Sequence, residues 1–224
     1  MQVQTLKPFT WSYSRLKNFE TCPKRNWHMD IAKDVKEDES DALLWGNEAH
    51  AILAKRLSKK VPLPPGFGGY EKWCRRIESI GGELYVEQKL GLTRAFGPSG
   101  YFDRGIWFRS IADAMVLKGA VAYAGDWKTG KVLNDSVQNV LVAACVFAHR
   151  PEIRAVHTEF IWLKDDTTTP QVIHRGDMPA FWATMLPRVA ALERAHNLTE
   201  YPATPNRLCR RWCAVTSCPH HGGD

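Results

Sequence analysis

The sequence predicts an α/β or α+β core, with a small mixed β-sheet flanked by helices. Short segments of alternating apolar and polar residues, separated by turn residues, gather between positions 83 and 164, and a period of two marks strands. Helical spacing dominates the first 60 residues and returns over 177–196, so helices bracket the strands in the chain. From about Tyr201 the chain turns Pro- and Cys-rich and loses all periodicity, which predicts an irregular tail.

Taken in order, Ser12 or Ser14 can cap a helix that runs to about His28. DALLWGNEAHAILAKRLSK (41–59) spaces Leu44, Ala51, Leu53 and Leu57 as a helix does. VPLPPGFGG (61–69) holds too much Pro and Gly for either regular element, and a short helix over Tyr70–Ile80 follows. ELYVEQKLGL (83–92), GIWFRS (105–110), IADAMVL (111–117) and AVAYAGDW (120–127) read as strands with turns between them. DSVQNVLVAACVFAH (135–149) is apolar nearly all round, which suits a buried helix, and RAVHTEFIWLK (154–164) alternates as another strand. DMPAFWATMLPRVAALERAH (177–196) is helical, with Pro187 expected to kink or divide it. One domain over 1–224 is expected. Its parts are a helical region (1–80), a sheet and helix (81–165), a C-terminal helix (166–200) and the Cys-rich tail (201–224).

At 224 residues and 44% hydrophobic the chain can bury a core, which excludes global disorder. No apolar run approaches 18 residues, which excludes a membrane-spanning helix. MQVQTLKPFTWSYSRL lacks the apolar stretch and cleavage site of a secretory signal, so a cytoplasmic location is expected. A net charge of +6 favours polyanionic partners without requiring one.

The stretch GDWKTGK (125–131) has two incompatible readings. Gly125, four residues and Gly130-Lys131 nearly make a phosphate-cradling loop. That loop needs Ser or Thr after its lysine to hold magnesium, and Val132 stands there. Asp126 would also place negative charge inside the cradle. The other reading takes Asp126 and Lys128 as a metal ligand and a catalytic lysine. Gly119-Ala120 suits a tight type II′ turn, and the register it sets places Asp113 across from Asp126. Lys128, two residues on, shares that face. Opposed carboxylates repel unless a cation lies between them, and oxygen ligands suit Mg²⁺ or Mn²⁺. A solvated hairpin with exposed acids is the bland alternative. Apolar Ala112, Ala114, Val116, Ala122 and Ala124 argue against it by predicting a half-buried strand pair. Asp103, in GYFDRG, is a rival second acid that needs a longer connection.

With these motifs in place, the chain resembles the RecB-type PD-(D/E)XK nucleases, a group with a restriction-endonuclease-like core. SYSRLKNFETCPKRNW (12–27), GNEAH (46–50), VEQKL (86–90), IADAMVL (111–117), GDWKTGK (125–131), QNVLVAACVF (138–147) and CRRWCAVTSC (209–218) follow that family's order. The resemblance implies that His50, Asp113, Asp126 and the Trp127 carbonyl bind one or two Mg²⁺ or Mn²⁺ ions, with Lys128 catalytic. It implies that Glu87 supports a second metal or orients water, and that Gln138 contacts substrate or braces the site. Two positions depart from the pattern: Ser110 stands where the family has Gly, and Val142 where many relatives have Tyr.

Cys22, Cys209, Cys213 and Cys218 suit a [4Fe–4S] cluster or a structural Zn²⁺, and His220 or His221 could complete a zinc site. The resemblance favours the cluster. Cys74 and Cys145 read as core residues. Lys17, Lys24, Arg25, Arg207, Arg210 and Arg211 could contact phosphates, and Trp11, Tyr13 and Trp212 could stack bases. The expected function is a metal-dependent DNA exonuclease acting on single strands or DNA ends, in recombination, repair or phage DNA processing. Recombination or helicase proteins would be partners, and the location would be the host cytoplasm if the chain is phage-encoded. The alternative is an inactive DNA-binding or assembly protein that keeps the fold.

Overall fold

The computed structural model describes residues 8–36, 40–133 and 135–223. Residues 1–7, on which half of the N-terminal leader argument rests, lie outside the described residues. The chain divides into two compact units, Ser40–Phe181 and a second made of Met1–Glu39 with Trp182–Asp224.

The first unit is a six-stranded sheet with helices. Its elements are α3 (Asp41–Lys59), α4 (Glu71–Ser79), β1 (Glu83–Leu92), β2 (Pro98–Ser99), β3 (Phe108–Lys118), β4 (Val121–Lys128), α5 (Val137–His149), β5 (Ala155–Trp162) and β6 (Thr167–His174). The strand order is β2-β1-β3-β4-β5-β6. Only β4 and β5 run parallel, joined through α5; the other neighbours are antiparallel. This is the mixed α/β sheet predicted from the sequence, in the arrangement of a restriction-endonuclease-like core.

Ser40 caps α3 by accepting from the Leu43 N–H, which fixes where that helix starts. Ala49, Leu53 and Leu57 of α3 and Cys74 and Ile77 of α4 bury against Ala114 and Val116 of β3, Trp127 of β4 and Ile161 of β5. The Arg56 guanidinium forks between Glu71 and Glu78, tying α3 to α4. α5 packs against β1, β3, β4 and β5, and eight of its thirteen residues are buried, as its all-round apolar pattern predicts. Arg175 closes its C-terminal end by donating to the carbonyls of Phe147, Arg150 and Ile153.

Three expectations change. The FRS of GIWFRS and IADAMVL are one continuous strand, β3, because nothing between Ser110 and Ile111 can turn the chain, while Gly105–Trp107 lie before it. β6 was not foreseen: its Thr-rich, Pro-containing sequence hides a strand that takes the sheet edge, where Pro170 is tolerated. β3 and β4 are buried on both faces over most of their length, deeper than half-buried.

The second unit holds α1 (Tyr13–Thr21), α2 (Pro23–Asn26), a π-helical turn over Trp27–Ala32, most of α6 (Met178–Leu198) and the tail. Ser12 caps α1. The predicted single helix to His28 breaks at Cys22, which is extended, and restarts with Pro23 at the first position. α6 is continuous through Pro187. The tail has one short 3₁₀ turn, Arg207–Arg210. Among the described residues no helix is long and apolar enough to cross a membrane.

Candidate metal centre

The β3–β4 hairpin runs in the register set by its turn, with Lys118 opposite Val121 and Ala114 opposite Gly125. Gly119 takes the positive φ (59°) a type II′ turn asks of its first central residue. The backbone ladder stops at Ala114–Gly125. One step further, the Asp113 carboxylate replaces the backbone acceptor and takes the Trp127 N–H at 2.9 Å. Gly125 is paired on both sides, to Ala114 and Glu159. Its peptide therefore belongs to the sheet, and GDWKTGK makes no phosphate cradle.

Strand β1 supplies a third acid. Val86 pairs with Ala114 and Gln88 with Ala112, so Glu87 falls opposite Asp113 without a ladder bridge of its own. Its φ is +53°, in the left-handed region, which costs a non-glycine residue about 1–3 kcal/mol. Glu87, Asp113 and Asp126 thus occupy one row across β1, β3 and β4.

His50 reaches this row from α3, its Nδ1 3.3 Å from Asp113 Oδ2. Gly46, one turn earlier, explains how α3 comes close enough. A Cβ there would meet Thr129 Oγ1 at 2.9 Å, so only glycine lets the helix rest against the residue that follows β4.

His50, Glu87 and Asp113 each offer a ligand atom within 4.8 Å of the other two. Asp126 is outside that set. Gln138 Nε2 donates to its Oδ1 at 2.7 Å, and Lys128 Nζ lies 2.6 Å from its Oδ2. The Lys128 contact is a charge contact without hydrogen-bond direction, since Asp126 Oδ2 is buried with no hydrogen-bond partner. Gln138 Oε1 accepts from Lys128 at 2.9 Å, so Gln138 braces both members of the Asp126–Lys128 pair. Lys128 also lies 4.7 Å from the centre of the Phe160 ring. His50, Glu87 and Asp113 form the close set, and Asp126 sits beside them, held by Lys128 and Gln138.

The charges confirm how crowded the row is. Burial first, and the Asp113 charge second, push the Asp126 carboxyl up to about 6 against the pull of Lys128 and His50. Loss of solvent and the Asp113 charge also raise Glu87. Burial opposes protonation of His50, but the Asp113 hydrogen bond and charge, backed by Asp126 and Glu87, outweigh it and raise the imidazole. Three acids repelling one another and an imidazole form a donor set that fits a divalent cation.

Other expectations fall differently. Asp103 accepts from Gly100 N–H at 2.7 Å and closes its own turn. Val142 is buried in α5. Cys74 and Cys145 are buried, Cys74 in the core with its thiol pushed by burial up to about 11.

In the second unit, Cys22, Cys209, Cys213 and Cys218 line one cavity together with Lys24, Arg25 and His220. Thr204 N–H points at Cys22 Sγ and Asn206 N–H at Cys209 Sγ, each at 3.4 Å. Asn206 Nδ2 donates to the Thr21 carbonyl at 3.0 Å and Lys24 N–H to the Pro202 carbonyl at 3.2 Å, pinning the tail to the α1–α2 junction. Trp11 is buried at 2% exposure, which removes it from any base-stacking role, whereas Trp212 is 76% exposed. Arg25 donates to Asn18 Oδ1 at 2.6 Å, so part of its guanidinium serves the unit's own structure.

No protein-family model and no curated sequence matches the chain. Among solved structures, a protein from Eubacterium rectale described as "Putative exonuclease" matches with a TM-score of 0.54 and 15% identity, over 94% of this chain and 86% of that one. A second, SSO0001, matches with a TM-score of 0.43 and 14% identity, over 95% of this chain and 87% of that one. The likeness to the first is one of fold: this chain shares its α/β architecture across nearly its whole length.

Proposed function

We propose that the chain is a metal-dependent nuclease that hydrolyses DNA phosphodiesters, working as an exonuclease on single strands or DNA ends. The observation that carries this reading is the convergence of His50, Glu87 and Asp113 beside the Gln138-braced Asp126–Lys128 pair. The fold shared with a protein described as an exonuclease agrees with it.

In this reading His50, Glu87, Asp113, Asp126 and the Trp127 carbonyl hold one or two Mg²⁺ or Mn²⁺ ions. Such an ion supplies Lewis acidity to the phosphate and lowers the pKa of water. The chain's own residues do the rest. Asp113 and His50 fix each other's orientation. Asp126 keeps Lys128 close, and Lys128 presents its ammonium to the charge that develops on phosphate. Gln138 holds that ammonium in one place.

The four-cysteine cavity is proposed to hold a [4Fe–4S] cluster. The N–H groups aimed at two of its sulfurs support this, as cluster thiolates accept such bonds. The cluster would staple the tail to the N-terminal helices. A brown protein absorbing near 400 nm, with iron and sulfide in equal amounts, is expected, and zinc in place of iron would overturn this assignment. Lys17, Lys24, Arg207, Arg210, Arg211 and Trp212 are proposed to contact the DNA backbone and bases.

The test is degradation of end-labelled single-stranded DNA with Mg²⁺ or Mn²⁺. Wild type should cut, while Asp126→Ala and Lys128→Ala should not. Cutting that survives in Asp126→Ala would end the proposal, and DNA binding without cutting in wild type would favour an inactive binding protein.

A further inference from the structure

A second feature of the sheet unit lies outside the metal centre. Between β2 and β3, residues Gly100–Gly105 form a short turn built to present an aromatic tip. Asp103 fastens it: its carboxylate accepts from Gly100 N–H, its own N–H donates to the Gly100 carbonyl at 3.1 Å, and its carbonyl accepts from Ile106 N–H at 3.2 Å. Gly100 is needed for that closure, because a Cβ there would lie 2.7 Å from the Asp103 carboxylate. Ile106, Trp107 and Phe108 then plunge into the core and anchor the turn.

The tip itself faces solvent. Phe102 is 76% exposed, and its ring meets Tyr101 edge-on at 5.1 Å between centroids. Lys89 Nζ stands 5.2 Å from the Phe102 ring and 5.7 Å from Tyr101, while the Arg109 guanidinium lies 5.4 Å from Tyr101. Arg104, exposed, follows on the same turn. A large apolar ring held in water by a fastened turn contributes nothing to the core. With Lys89 against both rings and Arg109 against Tyr101, the pair has the parts of a stacking site for a base attached to a phosphate backbone.

The position points the same way. Lys89 lies on β1 two residues from Glu87, and its charge acts on the Glu87 carboxyl. At about 3.3 Å of rise per strand residue, two residues of β1 separate Glu87 from the Lys89 that lies against the aromatic tip.

We infer that Phe102 and Tyr101, with Lys89, Arg104 and Arg109, form a stacking platform for an unpaired base of single-stranded DNA leading to or from the metal centre. This rests on the nuclease reading for its substrate but makes a separate claim about binding. Duplex bases are already stacked on each other and offer no free face, so the platform discriminates for single strands.

The experiment reads fluorescence anisotropy of a fluorescein-labelled oligothymidylate of about fifteen nucleotides, in EDTA so that nothing is cut, beside a blunt hairpin duplex. Phe102→Ala should weaken oligothymidylate binding about tenfold or more, Phe102→Trp should keep it, and duplex binding and the melting temperature should not move. The inference is overturned if wild type does not bind the oligonucleotide. It is also overturned if Phe102→Ala binds it as wild type does, or weakens duplex equally. Metal-dependent cutting is scored separately: oligonucleotide binding that ignores Phe102 beside cutting that needs Asp126 sinks the platform and leaves the nuclease. Phe102-dependent binding without cutting does the reverse.

Discussion

Replacing Asp126 by Asn should make the metal-free protein more stable at neutral pH while ending hydrolysis. The Asp126 carboxyl is buried, and its pKa rises from 3.8 to about 6. Below the lower value the group is protonated whether the chain is folded or not, and no penalty exists. Between the two, the folded protein keeps a proton that the unfolded chain releases, so stability falls as pH climbs. Above about 6 the full penalty is present. A rise of about two pH units at about 1.4 kcal/mol each sets a ceiling of about 3 kcal/mol. That figure already includes the pull of Lys128, so losing the charge contact does not reverse its sign. Asn keeps an oxygen for the Gln138 N–H. For a chain of this length that ceiling corresponds to roughly 6–12 °C of melting temperature. Thermal unfolding in EDTA, for wild type and Asp126→Asn at pH 5 and at pH 7.5, reads it directly. The variant should gain on wild type as pH rises, and Mn²⁺ should narrow the gap by stabilising wild type more. A variant that melts lower than wild type at pH 7.5 in EDTA, or a difference that ignores pH, would refute the reasoning.

Glu87→Gly and Glu87→Ala lose the same carboxylate but differ at a left-handed φ, so the glycine variant should be the more stable by about 1 kcal/mol in urea unfolding. Equal stabilities would mean that the strand holds no strain there. Arg175→Lys should cost about 2–3 kcal/mol, because one ammonium cannot serve the carbonyls of Phe147, Arg150 and Ile153 together. Mn²⁺ titrations followed by calorimetry should show tighter binding and fewer released protons as pH rises from 6 to 8, because the raised His50 must lose its proton to become a ligand. His50→Ala should flatten that trend.

Much of this was legible in the sequence where one local cue decides one local geometry. Gly119-Ala120 sets the β3–β4 register, and Ser12, one of two cap candidates, sets the start of α1. The all-round apolar helix at 137–149 could only be buried. What stayed hidden depends on long-range neighbours. β6 carries Thr and Pro because it is an edge, and edge status is a property of the assembled sheet. The place of Glu87 follows from β1 pairing with β3, and periodicity has no signature for a residue that leaves the strand conformation while keeping its register. Asp126 was expected to share a face with Asp113 and Lys128; the bond it accepts from Gln138 comes from the next helix, a contact that strand periodicity alone does not set. Trp11 looked available for stacking because nothing local says that a lone Trp is buried.

Asp113 has a second occupation. Its carboxylate stands in for the peptide oxygen that would otherwise receive the Trp127 amide, so it is a rung of the sheet as well as part of the acid row. Truncating it to Ala removes a ligand and unstitches two central strands in one stroke, so an inactive Asp113→Ala says nothing about chemistry. Asp113→Asn, which can still receive that amide, separates architecture from catalysis. The same dual employment means that anything pulling on this carboxylate, including an arriving cation, also tugs on the seam of the hairpin.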